Sequence, residues 1–123
     1  MAKIQRFTDL IVWREGHKLV LATYEITAQF PAREAYALSD QMRRCVVSIT
    51  SNIAEGFSRK TNKEKSQFYY MSLGSTTELQ NQLLIARDLG YIPKEKFNEL
   101  ANQTIYIHKL LFGVIKSAKI LNT

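Results

Sequence analysis

A chain of 123 residues with 46% hydrophobic and 23% charged side chains suits one folded domain and excludes a disordered tract. Lys and Arg number 17 against 11 Asp and Glu, giving a net charge of +6 and a pI near 9.6. Such a balance favours a polyanionic partner such as nucleic acid, or else serves solubility alone.

The first helix is expected over about residues 9–29, closed by Phe30-Pro31. It carries Leu10, Trp13, Val20 and Tyr24 on one side and Val12, Leu19, Ile26 and Phe30 on another. Ser39 is the expected N-cap of a second helix over about 39–57. Its stripe is Leu38, Met42, Cys45, Val46, Ile49 and Ile53, and Gly56 is placed at its left-handed end. The polar run 58–62 is a loop, and Thr61 or Asn62 caps a third helix over about 62–89. That helix aligns Phe68, Met71, Ser72, Ser75, Leu79, Leu83 and Ala86, with Gly74 read as a site of close packing. Gly90 ends it, and Pro93 opens a fourth helix over about 94–121. Phe97, Leu100, Ala101, Ile105, His108, Leu111, Phe112 and Ile115 form its wide apolar face. No segment alternates as a strand does. Connections this short force neighbours antiparallel, so the expected fold is all-α, an up-down-up-down four-helix bundle forming one domain over residues 1–123.

Two helices have more apolar surface than one core needs. On the third, Tyr69, Leu73 and Leu84 lie away from the main stripe, which points to a subunit interface. A tightly wrapped bundle with these residues half-buried is the alternative. Polar residues also line up: Gln41, Arg44, Ser48, Asn52 and Glu55 on the second helix, and Ser75, Glu78 and Gln82 on the third. Beside a core such groups need partners, so Ser48, Asn52, Glu55, Ser75 and Glu78 are expected to form a structural polar seam.

The stretch QMRRCVVSITSNIAEGFSR, residues 41–59, resembles the signature of bacterial four-helix-bundle proteins first noticed as open reading frames in intervening sequences of 23S rRNA genes. The likeness extends through Leu10-x-Val12-Trp13, Phe30-Pro31, Glu34-x-Tyr36-x-Leu38, Gly74-Ser75-x-x-Glu78-Leu79 and Leu89-Gly90-x-Ile92. Thr50 departs from it, because proline is frequent there in the family, and a straighter second helix is the expected result. The family is similar to an accessory protein of diversity-generating retroelements, a pentameric barrel with a basic surface that works with nucleic acid and a reverse transcriptase. The resemblance therefore implies a ring-shaped homo-oligomer, a pentamer first of all, but assigns no biochemical activity.

Candidate nucleic-acid-binding residues are Arg43, Arg44, Arg59, Lys60, Lys63 and Lys65, which face only Glu55 and Glu64 in the same segment. Cations at a helix N-terminus displace counterions from phosphates, and Tyr69 and Tyr70 follow where they can stack on bases. A merely solvated loop is the competing reading. Chemistry of other kinds has little support. His17 and His108 lack carboxylates at metal-ligand spacing, no Glu-x-x-His pair occurs, and no glycine-rich phosphate loop is present, so no metal or cofactor is expected. Cys45 reads as a small buried hydrophobe.

The expected function is non-catalytic binding of RNA or DNA by a homo-oligomer, with a protein-interaction scaffold for a nucleic-acid-processing partner as the alternative. An enzyme built on Ser48, Asn52, Glu55 and Glu78 is the third reading. A lone cysteine, an N-terminal stretch without the apolar run of a secretory signal, and no apolar run near the roughly 20 residues of a membrane span suggest the cytoplasm.

Overall fold

The computed structural model describes residues 3–121, with side chains described through Ala118. Residues 1, 2, 122 and 123 of the expected domain lie outside the described residues. Four helices follow one another: α1 Ile11–Thr27, α2 Leu38–Ser58, α3 Asn62–Asp88 and α4 Lys94–Leu121. A 3-10 turn, Phe7–Asp9, leads into α1, and a second, Ala32–Glu34, lies between α1 and α2.

The helices run alternately up and down. Arg43 near the start of α2 donates to the Thr27 hydroxyl at the end of α1, 2.9 Å away. Ser48 meets Ser75 across α2 and α3, and Gln80 donates to Thr104 across α3 and α4. α1 packs on α2 and α4, and α3 on the same two, so the helices form a closed square in section. The core is made by Val12, Leu19 and Ile26 of α1, Met42, Val46, Ile49 and Ile53 of α2, Leu79 and Leu83 of α3, and Leu100, Ile107 and Leu111 of α4. Burying a side chain of this size stabilises the fold by about 1.5–3 kcal/mol each.

Helix ends differ locally from expectation. α2 starts at Leu38, and Ser39 is buried inside its first turn and does not cap it. The Glu34 carboxylate takes that place, accepting from the Leu38 N–H at 3.4 Å and from the Tyr91 hydroxyl at 2.7 Å. Thr61 does cap α3: its hydroxyl accepts from the Glu64 N–H at 3.1 Å and donates to the Glu64 carboxylate at 3.0 Å. Gly90 has φ of 78°, the only left-handed residue described, and turns the chain between α3 and α4.

Gly56 is not left-handed. It lies within the last turns of α2, where an added Cβ would sit 2.8 Å from Cε1 of Tyr69. Gly74, by contrast, has open space around it and permits no close packing. Thr50, where the family favours proline, donates its hydroxyl to the Val47 carbonyl at 3.1 Å, and α2 runs uninterrupted.

The outer helices also rotate from expectation. In α4 the buried positions are Leu100, Thr104, Ile107, Leu111, Ile115 and Ala118, leaving Ile105 and Phe112 outside. In α3 Tyr69, Thr76 and Gln82 turn inward, and Met71 turns outward. Thr76 can face inward because its hydroxyl donates to the Ser72 carbonyl of its own helix at 2.9 Å, whereas Gln82 donates to Glu78 and leaves its buried amide oxygen without a partner among the described residues.

Candidate nucleic-acid interface

The expected basic cluster divides into two groups. Arg59, Lys60, Lys63 and Lys65 gather at the α2–α3 connection. Arg43 and Arg44 lie fifteen or more residues back along α2, about 20 Å away at the helical rise, and do not join them. They also face different sides. Arg43 donates to Thr27 and stacks over the Tyr24 ring, while Arg44 pairs with Asp40 at 2.9 Å. Neither is part of one basic surface with the loop.

Within the loop group the four side chains do different work. Arg59 lies over the Phe68 ring, 4.6 Å from its centre, and pairs with Glu55 at 3.0 Å. Lys65 donates to the Phe57 carbonyl at 2.6 Å, satisfying an open acceptor at the end of α2. These two order the connection. Lys60 and Lys63 are exposed and hold no ion-pair partner among the described residues.

Up-down topology brings further cations to the same end, because the start of α1 and the end of α4 lie there. Lys3, Arg6, Arg14 and Lys116 join the loop group, against Asp9, Glu15, Glu55 and Glu64, while Lys18 and Lys109 lie midway along α1 and α4. Asp9 is internally engaged: its carboxylate accepts from the Gln5 and Arg6 N–H groups at 2.9 and 3.0 Å, and these bonds lower its pKa. At the other end Arg33, Arg43, Arg44, Arg87, Lys94 and Lys96 are matched by Glu25, Glu34, Asp40, Glu78, Asp88, Glu95 and Glu99. One end of the bundle is near neutral, and the net positive charge is concentrated at the other.

Tyr69 does not serve as a stacking platform or a subunit contact. It is 5% exposed, packed on Gly56, and burial raises its pKa. Tyr70 is on the outer face. Of the other expected interface residues, Leu73 is half-buried against the core and Leu84 is exposed.

Two apolar faces lie on opposite sides of the square. On the α3/α4 side Leu84 (42% exposed), Ile105 (48%) and Phe112 (52%) stand beside Leu73 and Phe97. On the α1/α2 side Tyr24 and Val47 are exposed next to Val20 and Trp13, and Trp13 meets Phe7 edge-on.

The polar seam forms in part. The Ser48 and Ser75 hydroxyls are 2.8 Å apart, Asn52 donates to the Ser48 carbonyl and hydroxyl, and Cys45 donates to the Ser75 carbonyl. Glu55 is outside this seam, turned to Arg59, and Glu78 accepts from Gln82 on its own helix at 3.3 Å. The Ser48 hydroxyl thus bonds another hydroxyl and an amide, and Glu78, which lines the same open pocket, is bonded to Gln82 rather than to Ser48. Burial, with Glu78 nearby, pushes the Cys45 thiol up to about 12, so at neutral pH it is protonated and a poor nucleophile. Among the described residues no group of three or more His, Cys, Asp and Glu is placed to hold a metal ion, and no helix is long and apolar enough to cross a membrane.

Residues 8–113 match the family described as 23S rRNA-intervening sequence protein. The chain belongs to this family. A crystal structure from Bacteroides thetaiotaomicron VPI-5482, described as a protein with unknown function from the S23 ribosomal protein family, superposes with a TM-score of 0.80. The two are 20% identical, over 86% of this chain and 96% of the other. At that identity the likeness establishes the four-helix fold alone. No curated protein matches the sequence significantly.

Proposed function

We propose that this chain is a non-catalytic, homo-oligomeric protein that binds RNA or DNA through the basic end of its bundle. The observation that carries this reading is the separation of charge along the bundle axis, with exposed Lys60 and Lys63 beside Lys3, Arg6 and Lys116. A phosphate backbone gains from every such cation whose counterion it replaces. Assembly strengthens the effect by presenting several copies of the end together.

The two apolar faces support assembly. A two-fold dimer needs one self-complementary patch, whereas different patches on opposite sides suit a head-to-tail contact that closes into a ring. Resemblance to the retroelement accessory protein makes five the expected number. The bonding of Ser48 to Ser75 and Asn52 and of Glu78 to Gln82, together with the protonated Cys45, favours binding over catalysis.

Anisotropy of labelled single-stranded RNA and duplex DNA, titrated with the protein at low salt, tests the reading. Lys60→Glu/Lys63→Glu is expected to weaken binding at least tenfold, because both side chains are free of internal roles. Binding by that variant as tight as the wild type removes the basis for the proposal.

A further inference from the structure

Tyr36 stands in the turn between α1 and α2 and is 97% exposed, more than any other large hydrophobic side chain described. Its neighbours in the chain are engaged. Glu34 accepts from the Leu38 N–H and the Tyr91 hydroxyl, and Leu38 packs against the core. The backbone beneath the ring is fixed as well: the Ala35 N–H donates to the Ala32 carbonyl at 3.1 Å and the Ala37 N–H to the Glu34 carbonyl at 3.0 Å. A large ring held out in water on an ordered turn adds nothing to the packing of its own chain. It is, however, ready to dock, because the backbone that carries it has no freedom left to lose.

On the α3/α4 side Leu84, Phe97, Ala101 and Ile105 wall an open pocket of about 300 Å3. Its polar lining is Gln80 and Thr104. The Gln80 amide nitrogen donates to the Thr104 hydroxyl at 3.2 Å, and that hydroxyl donates to the Ala101 carbonyl at 2.7 Å. The Gln80 amide oxygen remains as an acceptor at the wall. A ring with one hydroxyl at its tip meets both demands, since apolar walls take the ring and the amide oxygen accepts from the phenol.

Tyr36 cannot reach the pocket of its own chain, because the α1–α2 connection lies across the bundle from the α3/α4 side. It does lie at the same end. α2 begins there, and Leu84 and Phe97 are within about 6 Å of the end of α3 and the start of α4 at the helical rise. A closed head-to-tail ring whose bundles stand parallel to its axis keeps that level constant from one copy to the next. This end is also the near-neutral one, away from the cations that would hold a nucleic-acid strand.

We propose that Tyr36 of one copy inserts into the α3/α4 pocket of the next and anchors the contact between copies. The proposal rests on the homo-oligomeric reading and names the side chain that joins the α1/α2 side of one copy to the α3/α4 side of its neighbour. A buried tyrosine removes about 150–250 Å2 from water, and tyrosine is among the residues that dominate interface energies.

Light scattering of the full chain over a range of protein concentrations tests this. Tyr36→Ala is expected to raise the concentration of half-dissociation about tenfold or more, with helical content unchanged because the side chain is outside the packing of its own chain. Tyr36→Phe keeps the ring and loses the hydroxyl, so a smaller shift is expected. A full chain with the photo-reactive p-benzoylphenylalanine in place of Tyr36 should cross-link on illumination to another copy within residues 80–105, mapped by mass spectrometry of the joined peptides. If the wild type assembles and Tyr36→Ala assembles equally well, or the cross-links fall only in other segments, the proposal is overturned and the homo-oligomeric reading stands. A wild type that is monomeric throughout overturns both. Tyr36→Ala that weakens RNA binding at unchanged mass also overturns the proposal, because it assigns the ring to base stacking.

Discussion

Cys45 lies where α2 meets α3, its thiol donating to the Ser75 carbonyl at 3.0 Å. Its burial was legible in the sequence, because it falls in the apolar stripe of α2. Most of the consequence for its acidity follows from that burial; the further rise from Glu78 across the seam was not legible, because it depends on how α2 and α3 pack. With the folded pKa pushed up to about 12 from an ordinary value near 9, the native state holds a proton that the unfolded chain has lost. The resulting stability is fully present below about pH 9 and is lost as pH rises towards 12, with a slope approaching about 1.4 kcal/mol per pH unit. Urea unfolding from pH 8 to 10.5 should therefore show a steeper fall for the wild type than for Cys45→Ala. Equal slopes contradict the assignment. Arg59 teaches the complementary lesson. As one of a run of cations it looks like a ligand contact, yet its position over Phe68 makes it part of the framework. Charge alone does not tell a side chain that reaches outward from one that stacks on its own fold.

Helix boundaries were largely readable because punctuation and periodicity agree: Pro31, Thr61, Gly90 and Pro93 act where their chemistry requires. Misreadings arise where one element depends on another. Ser39 is a good cap by type, but Glu34, held by Tyr91 from the α3–α4 turn, takes the donor instead. Gly56 and Gly74 show the same dependence most sharply. Gly56 is required because the Tyr69 ring of α3 lies against it, while Gly74 faces open space. Gly56→Ala should destabilise the protein by about 1–3 kcal/mol through overpacking at the α2–α3 seam. Gly74→Ala should stabilise it by about 0.5–1 kcal/mol through helix propensity. Urea midpoints for the pair check this, and a loss at Gly74 equal to that at Gly56 contradicts the packing described.

At the scale of the whole molecule, topology decides what the local sequence leaves unassembled. Lys3, Arg6, Arg14 and Lys116 form no run in the chain, yet alternating helix direction puts them at the same end as the α2–α3 loop. The same logic removes Arg43 and Arg44, which are near Arg59 in the list of cations but at the far end of α2. The outer apolar residues likewise become two faces only once the helices are arranged in a square. Leu84→Glu/Ile105→Glu should dissociate the assembly to lower mass in light scattering while leaving helical content intact, since both side chains are exposed in the single chain. Unchanged mass contradicts a contact through the α3/α4 face.

The salt dependence of nucleic-acid binding in charge-reversal pairs at the two ends tests the central claim most directly. Lys60→Glu/Lys63→Glu should weaken binding to single-stranded RNA and flatten the slope of log affinity against log salt. Lys94→Glu/Lys96→Glu, at the neutral end, should leave both close to wild type. Equal losses from the two ends, or wild-type binding that does not respond to salt, would contradict recognition through the basic end.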